Sequence, residues 1–123
     1  MNKKIRILIV DDSLSFRMGM QALLEIQPDM QEVGFAPSGN KALELVKELQ
    51  PDLVLLDAQM PDLTGIEVTQ KIKSQWPKVK ILLLTMFSDY RSKAIEAGAD
   101  AFVTKGIPPE HMLSLIRGIA KNK

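Results

Sequence analysis

Apolar and polar positions along the chain follow two different periods. Short continuous apolar runs, typical of strands buried on both faces of a sheet, alternate with longer segments in which apolar residues recur every three or four positions, as in amphipathic helices. One such run, at residues 53–56, leads directly into Asp57 and then into the turn sequence Met60-Pro61. The apolar runs predict five strands, at residues 5–10, 32–36, 53–56, 79–84 and 101–103.

Five helices are predicted between and after these strands. Thr64 and Glu67 have the spacing of a capping box at the start of the third helix. Gly98 is placed to end the fourth helix, and Pro108-Pro109 to open the fifth, where proline is tolerated in the first turn. The predicted helices cover residues 16–26, 41–49, 64–75 and 88–97, with a last helix starting at 108–110.

Five strand–helix units in succession predict an α/β fold with a parallel sheet covered by helices on both faces. The second strand run, QEVGFA, is the most polar and is expected at an edge of the sheet. Because crossovers are right-handed, few topologies remain, and the simplest is the flavodoxin-like (βα)5 three-layer sandwich with strand order 2-1-3-4-5. Residues 1–123 are then one domain.

Composition and charge narrow the function. The 123 residues suffice for one packed core, and the net charge of +1 lacks the basic excess typical of nucleic-acid binding, so no direct contact with nucleic acid is expected. The absence of cysteine excludes disulfides and thiolate metal sites. No apolar run approaches the ~18 residues of a membrane span, and the start MNKKIRILIV is interpreted as a first strand, so a cytoplasmic protein is predicted.

Polar side chains follow four of the predicted strands. Asp11 and Asp12 follow the first, Asp57 the third, Thr85 the fourth and Lys105 the fifth. Because the carboxyl ends of parallel strands meet at one edge, we expect Asp57 in the middle, the acidic pair on one side, and Thr85 and then Lys105 on the other.

Three carboxylates at one edge repel one another, by about 4 kcal/mol for a pair at ~4 Å and an effective dielectric constant of ~20. A bound cation would relieve this repulsion, and ligands that are all oxygen suit Mg²⁺. A carboxylate flanked by Mg²⁺, an ammonium and a hydroxyl has what phosphoryl transfer requires. Asp57 is therefore the predicted nucleophile, forming an aspartyl phosphate with support from Lys105 and Thr85.

Four motifs together resemble the receiver domain of bacterial two-component response regulators. They are VDDS at Asp11-Asp12, PDLVLLDAQMPDLTG at Asp57, LLLTM at Thr85 and AGADAFVTKG at Lys105. The resemblance runs from about residue 5 to residue 119 and is specific, because four motifs occur in order at strand ends. The last segment, GIPPEHMLSLIRGIAKNK, is similar to the receivers of LuxR/NarL-type transcription regulators.

The resemblance implies an activity and a metal site. Asp57 would accept a phosphoryl group from the phosphohistidine of a sensor histidine kinase or a phosphotransfer protein. Asp12, Asp57 and the backbone carbonyl of Gln59 would bind Mg²⁺ directly, and Asp11 would act through water. The domain would then catalyse only its own phosphorylation and dephosphorylation, and is not expected to be an enzyme otherwise.

The resemblance also implies a conformational switch. Thr85 would hydrogen-bond the phosphoryl group, Lys105 would pair with it, and the ring of Phe102 would turn inward. The face made by the fourth helix, the fifth strand and the last helix would contact an output domain or downstream protein. The resemblance also allows a homodimer that forms on phosphorylation. Two residues depart from the usual pattern, which often has proline in place of Gly106 and tyrosine in place of Phe102.

Three further expectations concern dephosphorylation, the alternatives and the output. Phe87, two residues after Thr85, is expected to shield the phosphoryl group from water. The residues also allow a small phosphohydrolase with an aspartyl-phosphate intermediate. Such enzymes usually separate the two acids after the first strand by one residue, whereas Asp11 and Asp12 are adjacent. A third alternative is an unphosphorylated pseudo-receiver, although the site residues Asp12, Asp57, Thr85 and Lys105 are all present. No output domain is expected within these residues, which fits either a truncated transcription regulator or a stand-alone receiver.

Overall fold

A five-stranded parallel sheet lies at the centre of the molecule, with helices on both faces. The computed structural model describes residues 3–86 and 91–121. The strands are β1 (Ile5–Val10), β2 (Met30–Ala36), β3 (Leu53–Asp57), β4 (Lys80–Thr85) and β5 (Ala101–Thr104). The helices are α1 (Leu14–Glu25), α2 (Gly39–Leu49), α3 (Gly65–Gln75), α4 (Arg91–Ala97) and α5 (Pro109–Lys121).

The strand order is β2-β1-β3-β4-β5 and every pairing is parallel, which confirms the predicted flavodoxin-like fold. Strand and helix ends differ from the prediction by one or two residues. The first two helices begin two residues earlier than the apolar period indicated, because Ser13 and Ser38 cap them by accepting hydrogen bonds from Phe16 N–H and Lys41 N–H. The predicted start of the fourth helix at Ser88 lies outside the described residues.

Strand β3 is buried along its whole length because its two faces pack against different helix layers. Val54 and Leu56 belong to the core cluster formed with α2, α3 and α4, whereas Leu53 and Leu55 belong to the cluster formed with α1 and α5. All four side chains are fully buried. The strand that carries Asp57 is therefore held rigidly from both sides.

Strand β2 lies at one edge of the sheet, as its polarity predicted. Its register with β1 shifts after Ile7, which pairs with Glu32, while Leu8 pairs with Gly34. Val33 is thus an extra residue that bends the edge strand. Along the described stretches, no helix is both long enough and apolar enough to cross a membrane.

Candidate functional site

Three carboxylates meet where β1 and β3 end. Asp11 and Asp12 follow β1, Asp57 is the last residue of β3, and one oxygen of each lies within 4.8 Å of the others. Asp11 is fully buried and Asp57 is only 6% exposed, whereas Asp12 faces solvent. Two of the three carboxylates are therefore shielded from water, and their mutual repulsion requires a positive partner.

Lys105 supplies one positive charge, in a different place from the one the sequence suggested. We expected it beyond Thr85, on the far side of Asp57. Its backbone lies there, with its N–H donating to Thr85 O at 2.8 Å, but its Nζ reaches across the site. That ammonium lies 2.7 Å from Asp11 Oδ2 and 3.5 Å from Asp57 Oδ2. Burial lowers the pKa of Lys105, but the hydrogen bond to Asp11 and the charge of Asp57 outweigh it, so the pKa is raised.

The surroundings of Asp57 make this carboxyl group easier to protonate than an ordinary aspartate. Burial raises the pKa of Asp57, and the charge of Asp11 raises it further. The Gln59 N–H, which donates to Asp57 Oδ1 at 3.2 Å, and the Lys105 ammonium partly offset this, but the pKa stays above its usual value. A positive charge brought close to Asp57 would therefore favour the carboxylate that a nucleophile needs.

Asp11 is fixed on both of its oxygens. Oδ2 accepts from Lys105, and Oδ1 accepts from Ser13 N–H at 2.8 Å, just before α1 begins. Asp12, the next residue, is exposed, which leaves its carboxylate accessible from solvent. The acidic pair therefore divides into one buried, bonded carboxylate and one open carboxylate.

The loop after Asp57 folds back tightly over the end of β3. Gly65 N–H donates to Ala58 O at 2.8 Å, and a Cβ on Gly65 would lie 2.6 Å from both Ala58 Cα and Asp57 O, so only glycine fits. The predicted capping box is confirmed, with Thr64 N–H donating to Glu67 Oε1 and Glu67 N–H donating to Thr64 Oγ1. Gln59, two residues beyond Asp57, lies in this loop with an exposed side chain.

The predicted switch residues lie on the neighbouring strands. Thr85 is the buried last residue of β4, and Leu84, just before it, pairs with Asp57. Phe102 on β5 is partly buried against the core beneath α2, α3 and α4. Phe87 lies outside the described residues, so its predicted shielding role stays a prediction.

Two side chains that the sequence did not single out also contribute. The ring of Phe16, on the first turn of α1, lies under Lys105, with Nζ 4.7 Å from its centroid, a cation–π geometry. The sequence indicated Phe16 only as the start of a predicted helix, and no local spacing connects it with Lys105, which follows β5. Asp62 accepts hydrogen bonds from Gly39 N–H and Asn40 N–H and so connects the loop after β3 to helix α2.

Comparison with known proteins gives a consistent picture. A family model described as the response regulator receiver domain matches residues 7–117. The response regulator protein VraR of Staphylococcus aureus is 34% identical over 121 residues, which are 97% of this chain and 58% of that protein. The chain thus spans little more than half the length of the curated relatives that it matches.

Solved structures of similar domains superpose over almost the whole chain. The response regulator domain of Thermotoga maritima CheB has a TM-score of 0.92 at 32% identity, covering 98% of this chain and 99% of that one. The signal receiver domain of NarL from Mycobacterium tuberculosis has a TM-score of 0.93 at 29% identity, with the same coverage. Both similarities extend from sheet to helices, so they concern the whole fold rather than a local motif.

Proposed function

Because this chain belongs to the response regulator receiver domain family, a signalling family rather than an enzyme family, we propose that it is a phosphorylation-controlled switch with Asp57 as the phosphoacceptor. One observation carries the proposal. Asp57 ends a strand buried on both faces, beside two other carboxylates and with its Oδ2 3.5 Å from the Lys105 ammonium. A rigidly held carboxylate with an ammonium beside it and neighbouring carboxylates able to hold a cation is suited to attack phosphorus.

The donor set fits a hard divalent cation. The carboxylate oxygens of the cluster lie within 4.8 Å of one another, and no nitrogen or sulfur ligand is among them. Asp12, Asp57 and the backbone carbonyl of Gln59 would hold Mg²⁺, and Asp11 would contact it through water. When bound, the ion would neutralise the acidic cluster and the oxygens of the transferring phosphoryl group.

The proposed phosphoryl donor is a phosphohistidine of a sensor histidine kinase or phosphotransfer protein. A carboxylate oxygen of Asp57 attacks the phosphorus, the P–N bond breaks, and its electron pair stays on the imidazole nitrogen, which takes up a proton. The Lys105 Nζ, already 3.5 Å from Asp57 Oδ2, would pair with the new phosphoryl oxygens. The Thr85 hydroxyl would donate a hydrogen bond to them. Neutralising these oxygens is the main catalytic requirement of such a transfer.

We assign the output to the face made by α4, β5 and α5. Thr85 and Phe102 lie on the two strands that lead to this face, so a shift at the phosphoryl group reaches it directly. Relatives of the LuxR family, one of them described as a DNA-binding response regulator, indicate transcription as the regulated process. The DNA would be bound by an output domain or a partner, and not by this domain. The protein would act in the cytoplasm, and phosphorylation would also promote a homodimer.

Phosphorylation in vitro tests the proposal. The protein is incubated with MgCl₂ and a small acyl phosphate, and the modified residue is mapped by mass spectrometry. We expect one phosphoryl group on Asp57, none in Asp57→Asn, and an unchanged level in Asp52→Asn, which alters an exposed aspartate at the opposite end of β3. Phosphate that persists in Asp57→Asn, or its absence from the parent protein, would contradict the proposal.

A further inference from the structure

Helix α2 begins at a carboxylate that comes from a distant part of the chain. Asp62 Oδ1 accepts a hydrogen bond from Gly39 N–H at 2.8 Å, and Oδ2 accepts from Asn40 N–H at 2.9 Å. Ser38 Oγ accepts from Lys41 N–H at 3.2 Å. The first turn of α2 therefore has two separate caps, one local and one supplied by the loop after β3.

Apolar packing also holds the loop after β3 against the start of α2. A Cβ on Gly39 would lie 2.7 Å from Leu63 Cβ and 2.9 Å from Val68 Cγ2, so the loop lies directly against the helix. Leu63 N–H also donates to Asp62 Oδ1 at 2.8 Å, which orients the carboxylate. The hydrogen bonds from Asn40 and Gly39 lower the pKa of Asp62, so the carboxylate stays ionised at neutral pH. The loop is therefore attached to the helix both by the hydrogen bonds of Asp62 and by the apolar packing of Leu63.

The loop held in this way is the one that begins at Asp57. It passes through Gln59, whose N–H bonds to Asp57 Oδ1, and returns to the sheet at Gly65, whose N–H bonds to Ala58 O. Those two contacts fix the ends of the loop. Asp62 lies between them and provides the hydrogen bonds to a different element. Without Asp62, the loop would lose these two hydrogen bonds to α2.

We propose that Asp62 is a positioning residue of the metal site, which ties the loop to α2 and thereby holds the Gln59 carbonyl in place beside Asp57. This inference rests on the proposed function, because it concerns the same cation. Partners that orient the ligands of a metal ion commonly set its affinity without touching it. A second consequence is that α2 responds to the cation, since any shift of the loop is transmitted to Gly39 and Asn40.

A simple helix cap would account for the hydrogen bonds alone, so the test must separate capping from positioning. Asp62→Ala and Ser38→Ala each remove one cap of the same helix turn, and both should lower the melting temperature. Only Asp62→Ala releases the loop. Asp62→Asn, which keeps one acceptor oxygen but loses the charge, provides an intermediate variant.

The affinity for Mg²⁺ is measured by ¹H–¹⁵N NMR, from the amide shifts of residues around Asp57 as MgCl₂ is added to each protein. We expect Asp62→Ala to weaken binding about tenfold, the lower end of the effect of losing an outer-shell partner. Ser38→Ala should bind as the parent does, and Asp62→Asn should lie in between. The Gly39 and Asn40 amides should shift with Mg²⁺ in the parent and not in Asp62→Ala.

Two results would overturn the positioning role. One is an unchanged Mg²⁺ affinity in Asp62→Ala. The other is an equal loss in Ser38→Ala, which would trace the effect to a weaker α2. If the parent protein binds no Mg²⁺ at all, the metal site of the proposed function fails and this inference fails with it. Parent protein that binds Mg²⁺ and is phosphorylated on Asp57, with no effect of Asp62, overturns this inference alone.

Discussion

At the scale of single residues, the Lys105 ammonium partly neutralises the carboxylates of the candidate site. Its ammonium lies 2.7 Å from Asp11 and 3.5 Å from Asp57, and the ring of Phe16 covers it from the side of α1. The carboxylates that it pairs with belong to the cluster proposed to hold Mg²⁺. A divalent cation bound there would repel the ammonium, even though both charges favour an ionised Asp57.

Lys105→Met tests this balance, because methionine fills much of the same space without a charge. We expect Mg²⁺ to bind about tenfold more tightly, a gain of ~1.4 kcal/mol that is well below the repulsion of two adjacent unit charges. Phosphorylation by an acyl phosphate should nevertheless be slower at saturating Mg²⁺, because a charge that stabilises the transferring group is gone. Binding and initial rates are measured on the same samples.

The control is Lys93→Met, which changes an exposed lysine on α4 away from the carboxylates and should leave both quantities unchanged. An unchanged or weaker Mg²⁺ affinity in Lys105→Met would show that the ammonium does not oppose the cation.

The residues at the strand ends could be predicted from the sequence, but their contacts could not. The pattern of apolar runs establishes that Asp57 and Lys105 arrive at the same edge of the sheet. It does not establish where a side chain with four methylene groups directs its ammonium, and the ion pair with Asp11 depends on that. Phe16 was missed for the same reason, since an aromatic ring on the inner face of a helix has many potential neighbours.

Among the elements, the junction between β3 and α3 is the most tightly constrained. A methyl group on Gly65 would meet the backbone of Ala58 and Asp57 at 2.6 Å, and backbone atoms cannot move aside as a side-chain end can. Gly118, inside α5, has no atom within 4 Å of an added Cβ. The two glycines should therefore respond to the same substitution in opposite ways.

Gly65→Ala is expected to lower the free energy of unfolding by about 2 kcal/mol or more, as overpacking does in a dense interior. Gly118→Ala is expected to raise it by about 0.5–1 kcal/mol, because alanine favours the helix. Urea denaturation measures both. A Gly65→Ala protein as stable as the parent would mean that the loop has another way of leaving β3.

The starts of α1 and α2 show why the boundaries of helices were predicted less accurately than their presence. The apolar period indicated where α1 and α2 contact the sheet, whereas the serine caps determine where they begin. The second cap of α2, Asp62, is 22 residues or more away from the N–H groups that it binds. Local spacing can reveal the first kind of cap but not the second.

For the whole molecule, the buried carboxylate of Asp57 is a cost to stability. Burial and Asp11 raise its pKa, so the folded protein holds this proton more tightly than the unfolded chain does. As pH rises from the ordinary aspartate range through the raised pKa, the unfolded state releases its proton first. The contribution of Asp57 to the free energy of unfolding therefore falls with increasing pH and remains low at neutral pH.

Asp57→Asn removes that charge and should raise the melting temperature at neutral pH, although it abolishes the proposed activity. The gain should vanish below the ordinary pKa of aspartate, where the parent carboxyl is also neutral. Saturating Mg²⁺ should narrow the difference by stabilising the folded parent. Calorimetric scans across pH measure this, and a melting temperature at or below that of the parent at neutral pH would contradict the expected penalty.

The two edges of the sheet have a consequence for how the molecule meets other chains. β2 carries an extra residue at Val33 that bends it, and β5 has only four residues. A bent edge and a very short one are poor templates for an incoming extended peptide. Other molecules that recognise the domain are thus directed to its helices and loops. A partner of the proposed output face would accordingly pack on α4 and α5 rather than add a strand to the sheet at β5.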